Sequence, residues 1–414
     1  MGIIKYISEQ NMKKVLLVLV PFSLGYLITS IFRSINAIQG VYLQKDLSLT
    51  IFHISVISSI YFLAFCLGQI PLGIFLDKYG SRVVQGFLFL IAAIGTMIFA
   101  FADNYSALLV GRFIIGIGVC GGLMCAFKAN VEYFPKKIPI MNSIVLFVGG
   151  LGVVVAGKPS ELLISYYGWR NYNILISIVL IMLSLFFYIF TPSNKEAFKN
   201  NTSSKSFFET ICFLNKKQIW IILLLTVIPS SMFTSMQTYW ITPWFKYVRN
   251  ISSSDIAILI SLLGIVMTLG LLMSGIIGNY FQNKYGSANK ALFFTYIVSL
   301  ISQIIILVNI KFFSIMAWFI YFFIVQTAMF GYSQISIIAG KEISGKAITI
   351  FTIVLFALSF SLQYIFGVIL KLLATYTLIT NISFRYQISL GIYILIQIII
   401  LFYVIILTIN NEKY

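Results

Sequence analysis

Apolar residues run along this chain in long stretches, interrupted only by short clusters of charge, amide and glycine. A helix needs roughly 20 apolar residues to cross a bilayer core of about 30 Å. By that measure the first set of spans lies at roughly 15–38, 53–76, 83–102, 106–130, 139–161 and 170–191. A second set follows at roughly 219–245, 255–280, 288–309, 312–339, 347–371 and 385–408. The predicted fold class is an all-α polytopic membrane protein of about twelve transmembrane helices. Residues 1–191 form one six-helix bundle, 192–218 a cytoplasmic linker, and 219–414 a second six-helix bundle. The linker holds the longest polar stretch, and its segment FFETICFL is predicted to lie flat on the membrane as a short amphipathic helix. An Asn201-Thr202-Ser203 sequon falls on the wrong side for glycosylation.

Composition narrows the class. Of 414 residues 60% are hydrophobic and 9% charged, more apolar surface than a water-soluble domain could hide. The net charge of +17 sits in short loops and reads as topology, with no nucleic-acid footprint. Lys13, Lys14, Lys78, Arg82, Lys136, Lys137, Lys284 and Lys290 share one side, whereas Lys45, Arg170, Lys246, Arg249 and Lys311 fall on the other. The positive-inside bias predicts that both termini are cytoplasmic. The first apolar run is too long for a signal-peptide core and lacks a small-residue cleavage site, so it is expected to remain as the first span. The Ile, Lys, Asn and Phe bias matches an AT-rich bacterial genome, which gives an inner-membrane location. Cys66, Cys120, Cys125, Cys212 and the single His53 lack ligand spacing, so neither a metal nor a cofactor is expected.

Two polar stretches stand at equivalent places in the two sets. GIFLDKYGSR covers residues 73–82, and GNYFQNKYGSANK, residues 278–290, repeats its KYGS. Both lie between the second and third spans of their set, the pattern of a duplicated six-helix unit. Gly73 and Gly80 would allow close helix approach and a tight turn. Asp77 could cap the positive end of a helix from the other set, and Arg82 could meet Glu132. Such contacts would hold an inner gate shut. The alternative is a loop that only anchors topology.

The first stretch resembles the signature loop of the major facilitator superfamily, Gly-x-x-x-Asp-(Arg/Lys)-x-Gly-(Arg/Lys)-(Arg/Lys). Gly73, Asp77, Lys78, Gly80 and Arg82 match; Ser81 departs, and the second copy has Asn283 where the first has Asp77. GRFIIGIG, with Arg112, Gly116 and Gly118, is similar to the family's fourth-helix arginine motif, and YYGWR before the sixth span is a common family feature. GGLGVVVAGKP only loosely resembles the antiporter motif, because Lys158 precedes the proline where that motif has glycine. The resemblance implies two pseudo-symmetric six-helix bundles, with helices one, four and seven on a central cavity. It also implies that Asp77 would cap helix eleven, which begins near Ser344-Gly345-Lys346.

Charges inside spans carry the candidate site. Arg33 sits late in span one, Arg112 early in span four and Lys158 late in span five, at similar depth. An arginine at mid-span costs on the order of 2.5–3.5 kcal/mol to insert and usually faces a cavity or a partner. Three cations at one level suit a carboxylate or another anion. The other readings are that Lys158 pairs with Glu161 at i+3 and that Arg112 serves helix packing. Span seven offers Gln237, Tyr239 and Trp240, with Pro243 as a point of flexure. Gln326, Tyr332 and Gln363 are weaker candidates. No acid lies at the centre of a span, which leaves Glu161 as the candidate proton carrier and the coupling ion open.

The expected function is a secondary transporter working by alternating access on an amino acid, organic acid or carboxylate siderophore. Efflux of hydrophobic compounds is the alternative within transport, and a non-transporting sensor the alternative outside it. No His/Cys cluster, G-x-S-x-G or phosphate loop is present, so no catalytic residue and no enzyme are expected. The expected partners are a small solute, a coupling proton and the bilayer, with the chain acting as a monomer.

Overall fold

The computed structural model describes residues 15–135, 137–192, 217–285, 288–376 and 380–409, and among these the regular elements are all helices. The linker expectation at 192–218, with its sequon and Cys212, falls almost wholly outside the described residues. So do Gly286 and Ser287 of the second KYGS, and the side chains of Asn283 and of residues 341–346.

Among the described residues ten helices are long and apolar enough to cross a membrane. One of them, Ile51–Ala100, has 50 residues. At about 1.5 Å per residue it is about 75 Å long, which is two passes. A shorter apolar helix, Ile140–Ala156, supplies the fifth pass, and the total is twelve. Most of the expected polar loop between spans two and three is helical. The helix runs through Asp77, Lys78 and Tyr79 and resumes at Ser81, and the turn is Gly80 alone, at φ 77° and ψ 166°. Only glycine adopts that conformation without a Cβ penalty. Spans five and six are joined the same way. Lys158–Ile189 is broken at Gly168, φ 82° and ψ 158°.

Span one is a compound rod: a π-helical turn Val15–Leu19, the helix Val20–Ser34, a bend at Ile35, and Asn36–Asp46. It therefore runs well past the apolar stretch that announces it. Span four is also in two pieces, Tyr105–Val119 and Gly122–Tyr133. Its glycines bring backbones together. A β-carbon at Gly116 would lie 2.6 Å from the Tyr61 carbonyl oxygen, and one at Gly111 would lie 2.8 Å from the Phe99 amide nitrogen. No side chain fits either gap, so spans two, three and four pack as one layer.

Among the described residues three seams join the first six spans to the last six. Span five meets span eight (Ser253–Tyr285), where a β-carbon on Gly157 would sit 2.7 Å from the Ser261 amide and one on Gly264 2.9 Å from the Val154 amide. Ser261 Oγ donates to the Val154 carbonyl at 2.9 Å and accepts from the Lys158 amide at 2.7 Å. Span two meets span eleven through Ser55, whose hydroxyl donates to the Gln363 carbonyl at 3.1 Å, and through Phe65 against Phe356 at 4.2 Å. Span one meets span seven, where Gln44 Nε2 donates to the Tyr239 hydroxyl at 3.3 Å. These seams run from the middle of the bundle to the end remote from Gly80. That end, the far end below, is shut.

Candidate functional site

Arg112 is 2% exposed, although it carries a charge. Its guanidinium lies over the Tyr61 ring, 4.7 Å from the centroid, and its Nη2 donates to the Phe32 carbonyl at 2.6 Å. The next residue after Phe32 is Arg33, whose Nη2 donates to Ser30 Oγ at 3.3 Å. Tyr61 lies within electrostatic reach of both arginines. Nε of each arginine and the Tyr61 hydroxyl are buried without a hydrogen-bond partner. Among the described residues no carboxylate pairs with either arginine. Taking a lone cation out of water costs several kcal/mol. A desolvated cation–π contact returns on the order of 2 kcal/mol, and a hydrogen bond to a charged group about 1.5–3 kcal/mol. The guanidinium pair is therefore short of negative charge, and an anion between spans one, two and four would supply it.

Lys158 is not part of that pair. Its ammonium donates to Glu161 at 2.7 Å and to Ser254 Oγ of span eight at 2.8 Å, and Tyr42 of span one also reaches the Glu161 carboxylate. Both Lys158 and Glu161 thus sit in the far-end seam. Depth along a helix put Lys158 level with the arginines; its azimuth turns it to another neighbour.

Span seven brings its three candidates to different places. A π-helical stretch, Met236–Trp240, interrupts it. Gln237 Nε2 reaches Met267 Sδ of span eight at 3.2 Å. Tyr239 crosses to the first six spans, donating to the Ile51 carbonyl at 3.3 Å and packing against Gly40, where a β-carbon would be 3.2 Å from its ring. Trp240 packs at a tilt against Phe366 of span eleven, ring centroids 4.6 Å apart, and its Nε1 has no partner among the described residues.

At the signature stretch, Asp77 pairs with Lys128 of span four at 3.0 Å, within the first six spans. Glu132 accepts from the Ser81 hydroxyl at 2.8 Å, and Arg82 Nη2 donates to the Tyr188 carbonyl of span six. The serine that departs from the motif thus takes up the contact expected of the arginine. Lys78 lies over the Tyr79 ring at 5.1 Å. Gly73 does not serve helix approach here: a β-carbon on it would meet nothing within 4 Å. Among the described residues nothing packs against span two at this glycine. The helix-eleven residues expected to meet Asp77 are among those whose side chains are not described.

The far end carries a clasp built by YYGWR. The positive φ of Gly168 turns Trp169 and Arg170 back onto the bundle. Asp46, closing span one, accepts from Trp169 Nε1 at 3.0 Å and from Arg170 Nη1. Arg170 Nη2 also donates to Asp103 and to the Ala102 carbonyl, both at 3.2 Å. The Arg170 and then the Trp169 hydrogen bonds hold the Asp46 carboxyl below the usual range. One arginine thereby ties spans one, three and six.

Sequence reasoning passed over Tyr61, Asn36 and Gln39. Each is a single polar residue in an apolar span, and such a residue shows its role only once its neighbours are placed. Asn36 and Gln39 follow Arg33 at i+3 and i+6, so the stripe was present in RSINAIQ. Among the described residues no three His, Cys, Asp or Glu side chains converge as metal ligands would.

The profile described as Major Facilitator Superfamily matches residues 22–363. A sialic acid transporter of Escherichia coli (strain K12) is 26% identical over 275 residues, covering 66% of this chain and 65% of the relative. A niacin transporter of Acinetobacter baylyi is 33% identical over 148 residues, 36% of this chain and 34% of the relative. The matches thus span less than two thirds of either relative's length. The crystal structure of a bacterial homolog of the human lysosomal transporter Spinster, inward-facing and unoccupied, shares the fold. It aligns at a TM-score of 0.77 over 97% of this chain and 98% of that one, at 15% identity.

Proposed function

The chain belongs to the major facilitator superfamily, and from that premise we propose that it is a secondary transporter of a small carboxylate-bearing or otherwise anionic solute. It works by alternating access in a bacterial inner membrane, with the Gly80 end cytoplasmic. Residues 1–191 and 219–414 are the two bundles that rock about the solute. The observation that carries the reading is two cations near Tyr61, Arg112 buried on its ring and Arg33 half-buried one residue beyond the carbonyl that Arg112 holds, with no carboxylate paired to either among the described residues. A guanidinium fork matches a carboxylate in geometry as well as charge. The two relatives support the same chemistry, since sialic acid and niacin each carry a carboxylate.

Tyr239 and Trp240 belong to the far gate and the wall beneath it, and Glu161, already bound to Lys158 in the seam, is the group placed to carry a coupling proton. The test is uptake into proteoliposomes of radiolabelled carboxylates, nitrate and lipophilic cations. The expected result is carboxylate uptake in the wild type and at least a hundredfold loss in Arg112→Gln and Arg33→Gln. Uptake confined to lipophilic cations, or carboxylate uptake indifferent to both substitutions, would reject the proposal.

A further inference from the structure

Between the two arginines and the shut far end lies a second set of polar side chains, uncharged and each with at least one unpaired amide atom. Asn36 gives its Nδ2 to Ser58 Oγ at 2.9 Å, and its Oδ1 has no partner. Gln39 has no partner for Nε2, and Gln363, from span eleven, has none for either amide atom. All three side chains are 1% exposed or less. Their helices meet there. Ser55 and Ser58 stand one turn apart on span two, the first bonded to the Gln363 backbone and the second to Asn36. A β-carbon on Gly40 would touch Ile54, and one on Gly367 would touch Ser55, at 2.9 and 2.6 Å. Trp240, with its own unpartnered Nε1, packs at a tilt against Phe366, three residues beyond Gln363.

Buried amides of this kind are rarely left unpaired, because each one costs about 1–3 kcal/mol. A leucine or methionine would fill the same space without that cost. Charge neutrality sets this group apart from the arginines: it offers both donors and acceptors, which suits hydroxyl and amide groups, and it lacks the positive charge that a carboxylate draws from a guanidinium. From Arg33 to Gln39 is six residues of helix, about 9 Å, which is the reach of a sugar acid and more than that of a single aromatic ring.

We propose that Asn36, Gln39 and Gln363, with the indole N–H of Trp240, form an uncharged subsite for the hydroxyl or amide groups of a polyhydroxylated acid. The acid's carboxylate is held at Arg33 and Arg112. This rests on the carboxylate reading above and narrows it. A solute that reaches both ends pairs the amides that the shut far end leaves unpaired, so it favours closure as well as binding. A carboxylate with an apolar tail leaves them as they are, and a site built on hydrogen bonds discriminates strongly against such a ligand.

The experiment uses full-length protein in proteoliposomes and two probe sets, N-acetylneuraminate, gluconate and glucuronate on one side and nicotinate and benzoate on the other. Wild type, Gln363→Leu, Gln39→Leu and Arg112→Gln are compared, with thermal unfolding of each without ligand. The expected result is a kcat/KM at least tenfold higher for a polyhydroxylated acid than for either ring acid. Gln363→Leu raises KM for that acid about tenfold, leaves the ring acids unchanged, and unfolds no earlier than wild type, since it removes only unpaired groups. Gln39→Leu carries the same comparison should Gln363→Leu not fold. Preference for ring acids, or an unchanged KM in the leucine variants, overturns this inference while the carboxylate reading stands on its loss in Arg112→Gln. Failure to take up any acid overturns both.

Discussion

The Arg112 guanidinium lies over the ring of Tyr61, and the same Tyr61 turns its backbone carbonyl toward Gly116, one helical turn beyond the arginine. The two contacts are one device. Gly116 lets span four approach span two without a side chain between them, and that approach sets Arg112 on the ring. Both residues come from GRFIIGIG, so the motif specifies the approach as well as the charge.

Gly116→Val tests this directly. With its β-carbon position 2.6 Å from a backbone oxygen, the larger residue must push the two helices apart. Overpacking of this type costs about 1–3 kcal/mol. The expected outcome is a lowered unfolding temperature together with lost solute uptake, the latter persisting in whatever fraction remains folded by size-exclusion chromatography.

Tyr61 separates ring from hydroxyl. The hydroxyl is unpartnered, so Tyr61→Phe should change stability by less than about 1 kcal/mol and keep uptake. Tyr61→Leu removes the face on which the guanidinium rests, a contact of about 0.5–2 kcal/mol. Thermal unfolding with and without a transported acid reads both, and equal behaviour of the two variants would show that the ring plays no part.

The seam of spans five and eight gives a conformational prediction. A side chain at Gly157 would strike the Ser261 amide and, at 2.8 Å, the Ala257 carbonyl. Gly157→Leu should hold the far end open. Uptake is then lost, while a cysteine introduced at Ser55, buried in the seam of spans two and eleven in the shut form, becomes reactive to a membrane-impermeant maleimide added from the far side. Unchanged protection of that cysteine would count against the seam as the gate.

The far-end clasp makes stability depend on acid. Arg170 and Trp169 depress the Asp46 pKa in the folded chain relative to the unfolded value near about 3.9. A depressed carboxyl contributes stability above its unfolded pKa and loses it as pH falls through the folded value. Because Asp46 is largely open to solvent, the contribution is held to about 1 kcal/mol or less. Thermal unfolding between pH 3 and 7 should show the wild type losing its advantage over Asp46→Asn below about pH 4. A constant difference across that range would remove the clasp from the account.

Hydropathy marked nearly every pass, because in lipid the only signal a helix must give is length and apolarity. It misjudged the ends where helix continues past the apolar run, as span one does from residue 38 to Asp46. It also read as a loop what is a helix turned at one glycine, since the charges of GIFLDKYGSR fix a surface position and say nothing of backbone. In the site, depth could be counted from sequence and azimuth could not. Arg112 rests on Tyr61 with Arg33 within electrostatic reach of the same residue, whereas Lys158 turns to Glu161 and Ser254. Asn36, Gln39 and Gln363 were faint for a related reason: whether a buried amide is satisfied is a property of its neighbours.

The glycines of the span five and eight seam bear on time as well as on fit. Where backbone lies on backbone, as at Gly157 against Ser261 and Gly264 against Val154, there are few interlocked side chains to unpick. Parting such surfaces requires little rotamer reorganisation, so the barrier between the two facings is shallow in entropy, and turnover should owe most of its temperature dependence to the hydrogen bonds of Ser261 and Lys158 that must break. The smooth seam sets a tempo.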